Sequence, residues 1–263
     1  MTAALVKIRA EYQAALTKAG IRQGSMPPAA LQLVRAANAA LSEAEAAINN
    51  SASRVPQVLG DRRIYPEGRK DAAKAAITAL RELVQSKADT AQSLLSMAKT
   101  TLENESLRPL NRAEELTARQ DALMILDRTA PNQRDVVMSQ LATRQDAIGS
   151  VVSSSWGRDY LSTVTPDPAL ANAMHSGIRT AAIDAAKTQN VDEARRDASR
   201  HIDTLPVLHG MRDAVAHTGR MVADELTEGV SRFDARNSTP GSPAPTSAAD
   251  FGLPDSVPAD APA

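Results

Sequence analysis

Y-P-E-G-R-K-D-A-A-K-A-A-I-T-A-L-R-E-L-V-Q-S-K-A-D-T-A-Q-S-L-L-S-M-A-K-T-T-L-E-N-E, residues Tyr65 to Glu105, decides the fold of this chain. Pro66 has φ held near −65° and no N–H, which suits the first helical position, where that N–H would have no partner anyway. Glu67 falls in the first turn, against the positive end of the helix dipole. Beyond it, Ile77, Leu80, Val84, Ala88, Ala91, Leu95, Ala98 and Leu102 recur at three- and four-residue steps, a mean of about 3.6 and hence one face of a straight α-helix. From Pro66 to Glu105 the rise of about 1.5 Å per residue gives a rod of roughly 60 Å. A stripe on such a rod needs a covering surface. Ile77, Leu80, Val84, Leu95 and Leu102 are therefore the expected helix-packing residues, covered by other helices of the chain or, in a coiled coil, by a second copy.

Composition supports long helices packed side by side. The 263 residues include one Trp, two Phe and three Tyr, too few aromatics for a thick core. Alanine accounts for 49 positions. Each buried Ala methyl contributes about 0.8 kcal/mol against about 1.5 to 3 for Leu or Ile, so stability must come from helix propensity and many close contacts. The formal net charge is −1, which offers no overall field to nucleic acid or to an anionic membrane surface. The absence of cysteine rules out disulfides and thiolate metal sites. The opening M-T-A-A-L-V-K-I-R-A-E carries charges where a signal peptide needs its apolar run, and no stretch of eighteen apolar residues occurs. A soluble chain without nucleic-acid or membrane partners is expected.

Working outward, Thr2 to Lys18 reads as a first helix with Leu5, Ile8, Tyr12 and Leu16 on one side and Gly20 as its stop. Pro27 and Pro28 open a second, with Val34, Ala37, Leu41, Ala44 and Ile48 on its stripe and an end at the N-N-S-A-S run from Asn49. After Pro109, Asn111 and Glu114 have capping-box spacing, which predicts a helix to about Arg128 with Leu116, Leu123 and Leu126 on its apolar side. A helix after Pro131 carries Val137, Leu141, Ile148 and Val152. The next starts at Pro168 with Leu170, Met174, Ile178 and Ala181, and two more pieces, 192–204 and 207–234, part at Pro206. No period-two segment is present, so the fold class is all-α: an elongated helical bundle with one helix of about 40 residues. The expected divisions are N-terminal helices over 1–60, the long helix and its followers over 61–164, C-terminal helices over 165–236, and a disordered acidic tail over 237–263 with six prolines, three aspartates and no basic residue.

Chemistry is sought without result. His201, His209 and His217 step by eight, about 80° apart on a helix, and His175 stands alone, so no zinc-helix pair at four residues forms. Neither a phosphate-binding glycine loop nor a nucleophile elbow occurs, and Asp250-Phe251-Gly252 lacks the rest of a kinase. No catalytic residue, metal ligand or cofactor site is expected, and the chain reads as a non-enzyme. Candidate partner-binding residues are Trp156, which as the lone tryptophan anchors either a helix junction or a partner, and Phe251, Leu253 and Val257, the sizeable apolar groups of the tail.

Tyr65-Pro66-Glu67-Gly68-Arg69, followed by the Ala- and Leu-rich helix with R-E-L and then by N-R-A and D-R-T-A-P, resembles a group of helical proteins encoded in the head-assembly region of tailed bacteriophages of Gram-positive hosts. The likeness covers about residues 60–160. It implies a non-enzymatic role in phage head morphogenesis, foremost capsid scaffolding, with the major capsid protein as partner, self-association, and a place in the host cytoplasm during assembly. A minor virion protein of the head and a bacterial helical-bundle adaptor are the alternatives.

Overall fold

The computed structural model describes residues 24–189 and 191–238, together with Ala10, Ala14 and Thr17. The tail with Phe251, Leu253 and Val257 lies outside the described residues, as does nearly all of the expected first helix. Among the described residues there is no strand, and nine α-helices and one 3-10 turn follow in order. They are α1 (Pro28–Gly60), α2 (Pro66–Ser106), α3 (Arg112–Asp127), the 3-10 turn Pro131–Gln133, α4 (Arg134–Ala142), α5 (Ala147–Val152), α6 (Ser155–Val164), α7 (Pro168–Thr188), α8 (Glu193–Ile202) and α9 (Leu205–Ser238).

The chain divides into two compact units that do not follow chain order. Of the described residues, one holds 35–94 and 209–238, the other 24–34 and 95–208. Side-by-side packing joins helices that are distant in sequence, and local composition carries no trace of which ones meet.

In the first unit, α2 buries Ile77, Leu80, Val84, Ala88 and Ala91, α1 buries Leu41, Ala44, Ile48, Val55 and Leu59, and α9 buries Val215, Leu226, Val230 and Phe233. Ion pairs cross between helices: Arg81 to Asp224 at 2.8 Å, Lys70 to Asp234 at 2.5 Å, and Lys87 to Glu43. Helix α1 does not stop at Asn49. It continues to Gly60 through Pro56, because Val55 and Leu59 extend the buried stripe by about three turns. Pro56 removes one intrahelical hydrogen bond, and the burial of two large side chains offsets that loss.

In the second unit, Ala122, Leu126, Met138, Leu141, Val152, Leu161, Ala171 and Ile178 form one core, with Leu95 and Leu102 of α2 also buried. The expected single helix carrying Val137 to Val152 is two, α4 and α5. Gln145 between them has φ of 57°, a conformation unfavourable for a residue with a Cβ. It is held there from a distance, since its amide donates to the Ala182 carbonyl at 2.5 Å and accepts from Arg195 at 2.6 Å. Asp146 then caps α5 through the Gly149 N–H. Helix α6, which is not among the helices expected from the sequence, follows directly from Ser154, whose hydroxyl accepts from the Trp156 N–H.

Two stripes are out of phase with expectation. On α3 the capping box of Asn111 and Glu114 is present, but the buried residues are Ala118, Ala122 and Leu126, while Leu116 is 53% and Leu123 38% exposed. On α7, Leu170 is exposed and Ala171, His175, Ile178 and Ala182 point inward. In both helices alanines occupy the core side, and alanine gives little signal because its helix propensity is high wherever it stands. Pro206 falls in the first turn of α9 rather than between two helices, and the break lies at Asp203 and Thr204.

Candidate functional site

The stretch that opens the long helix is built as a fixed corner. Pro66 begins α2, and the Arg69 N–H bonds the Tyr65 carbonyl at 3.0 Å. The Arg69 side chain turns inward, donates to the Leu59 carbonyl at 2.9 Å and lies 5.0 Å from the centre of the Phe233 ring. A buried guanidinium is tolerable when a carbonyl and a ring face take the place of water. Asp61 pairs with Arg63 beside it, and the Arg63 side-chain bond holds the Asp61 carboxyl below its ordinary range. Tyr65 itself is 87% exposed and adds no packing.

Ile77, Leu80, Val84, Leu95 and Leu102 are all buried within the single chain. This stripe is occupied by the protein's own helices, so a second copy is not needed to cover it. Trp156 stacks on Tyr160, with ring centres 5.7 Å apart and planes 20° from parallel, and both pack partly buried against the core of the second unit. It stands at the junction of α5 and α6. The Tyr160 hydroxyl is buried without a partner, and burial raises its pKa.

The histidines are dispersed. His175 meets the Ser154 carbonyl at 2.8 Å; because a carbonyl only accepts, Nε2 carries the proton. His201 meets the Ser25 hydroxyl at 3.1 Å, and its Nδ1 is buried with no partner. Burial lowers the pKa of both. His209 meets the Gln92 side chain at 3.1 Å, and His217 is exposed. Among the described residues no three His, Asp or Glu side chains converge as a metal site would require.

Other buried charge has structural partners. Arg195 donates to the Ser106 carbonyl at 3.2 Å and to Gln145, and Arg179 reaches the Ser153 carbonyl at 3.3 Å and Asn104 at 3.2 Å. One open groove lies between α3 and α5, floored by Ala113, Ala118 and Ile148 and edged by Glu114 and Asp121. Glu114 is engaged there by Arg108 at 2.8 Å. A second follows the polar outer side of α2 from Arg81 to Ser93. Neither pairs a base with a nucleophile.

What sequence reasoning placed wrongly is the outer side of α3. Leu116 and Leu123 are seven residues apart and share a side of the helix distinct from that of Ala118 and Ala122; plotted at about 100° per residue, the two strips separate in the sequence, and packing alone decides which is inner. Among the described residues no helix is long and apolar enough to cross a membrane. Comparison of the chain with protein-family models, curated proteins and solved structures finds no match.

Proposed function

We propose that this protein acts by binding rather than by chemistry, as a head-morphogenesis protein of a tailed bacteriophage, with capsid scaffolding as its role and the major capsid protein as its partner. The observation that carries the reading is the division of labour among its side chains. Buried arginines and histidines serve backbone carbonyls and helix junctions, whereas large apolar residues such as Leu116, Met124 and Leu170 stand outward on otherwise polar helices. Outward apolar groups of this kind suit contacts that are individually weak and collectively sufficient. Weak, repeated contact is what a scaffold needs, because it must leave the shell that it has shaped. The Tyr65-to-Arg69 element and the likeness over residues 60–160 support the phage assignment.

Expression of the coat protein encoded in the same genome, with and without this chain, tests the proposal. Shells of uniform size that form only in its presence support scaffolding. Shells that form identically without it exclude that role. Recovery of the chain from purified virions at a fixed copy number makes it a minor head component instead.

A further inference from the structure

We infer that the outer side of α3 is a self-association surface, on which two copies of the chain pair antiparallel about a two-fold axis between Arg119 and Gln120. This inference stands independently of the phage reading. At about 100° per residue, Arg112, Leu116, Leu123 and Asp127 fall within a strip roughly 60° wide, and the buried Ala118, Ala122 and Leu126 occupy a separate strip centred about 110° round the helix. The helix thus has two apolar sides, and only one is covered.

The occupant follows from the order of residues along the strip. An antiparallel pair that sets Leu116 against Leu123 of the second copy also sets Arg112 against Asp127 of that copy, because both pairs of numbers add to the same total, 239. The two-fold axis repeats each contact. Four leucines then cover one another in the middle, and an Arg–Asp pair closes each end of a seam about 22 Å long. Arg112 and Asp127 are both exposed, and among the described residues neither is ion-paired or hydrogen-bonded through its side chain. At the axis the Arg119 side chains of the two copies lie on the same flank of the seam, each paired with its own Glu115 at 2.5 Å. A parallel pair would set Arg112 against Arg112 and Asp127 against Asp127, so charge selects the antiparallel arrangement. Two leucines and two charged residues per copy cover far less than the about 800 Å² per partner of a standard stable interface, so the association is weak and grows with concentration.

Sedimentation equilibrium of the full chain across a concentration series tests this. The wild type should show a monomer–dimer equilibrium, and L116E/L123E should remain monomeric with unchanged helical circular dichroism, since both residues are outside the core. Arg112→Asp and Asp127→Arg should each weaken the dimer about tenfold, because two attractions become two repulsions. The double variant R112D/D127R exchanges the charges and should restore most of that loss. A chain that stays monomeric at every concentration, a dimer indifferent to L116E/L123E, or a double variant no better than the singles would overturn the inference.

Discussion

The same substitution, Gly to Ala, should act in opposite directions at two helical positions of the second unit. Gly157 is in the first turn of α6, packed on the end of α5. A Cβ there would lie 1.9 Å from the Val152 carbonyl oxygen and 2.7 Å from the Val152 carbonyl carbon. Ordinary contact begins near 3.4 Å, so well over 1 Å of movement is required, and the obstacle is backbone rather than a side-chain end that can swing away. Overpacking costs about 1 to 3 kcal/mol, and the rigid obstacle puts this case at the top of that range. The gain in helix propensity offsets about 1 kcal/mol. Gly157→Ala should therefore destabilise by about 2 kcal/mol. Gly177, inside α7, has nothing within 4 Å of its would-be Cβ, so Gly177→Ala keeps the propensity gain and should stabilise by about 1 kcal/mol. Urea unfolding followed by the fluorescence of Trp156 reads both, since the lone tryptophan adjoins Gly157 and packs on the core of this unit. If Gly157→Ala unfolds at or above the wild-type midpoint, the close approach of α6 to α5 is wrong.

Three further outcomes are expected. Leu95→Ala, at a position 1% exposed, should lower stability by about 2 to 5 kcal/mol in a denaturant titration, and a loss under about 1 would mean that the stripe is not packed. Arg69→Ala should cost about 1 to 3 kcal/mol by leaving the Leu59 carbonyl unbonded and the Phe233 ring uncovered, and Arg69→Lys should recover little of it, because an ammonium cannot lie flat on the ring. The buried His175 and His201 have folded pKa values below their unfolded value of about 6.5. The unfolded chain therefore binds the more protons below that pH. Stability should be full above about 6.5 and decline as the pH falls from there through the folded pKa values, and His201→Gln should flatten the decline in melting measured from pH 7 to 5.

Chain ends of helices and the main buried stripe were legible in the residues because their causes are local. Pro66 and Glu67 start α2 through backbone geometry and the helix dipole, the Asn111–Glu114 box starts α3 within four residues, and the 3.6-residue recurrence from Ile77 to Leu102 requires one buried side whatever covers it. No family motif or titratable cluster marks a site, so the residues themselves offered no chemistry from which to read a function.

Tertiary structure decided the rest. The amino-acid order alone establishes an all-α chain with a helix of some 40 residues, since propensity, capping and periodicity each act over a few neighbours. It does not settle which side of α3 or α7 is inner, because alanine and leucine both favour helix, and the space left by neighbouring helices admits alanine at Ala118, Ala122 and Ala171 while leaving Leu116 and Leu170 outside. Nor does it reveal the break at Gln145, whose left-handed backbone is stabilised by Ala182 and Arg195, 37 and 50 residues away. Those choices depend on shape and hydrogen bonding between segments remote in the chain, and they come into being only when the helices pack.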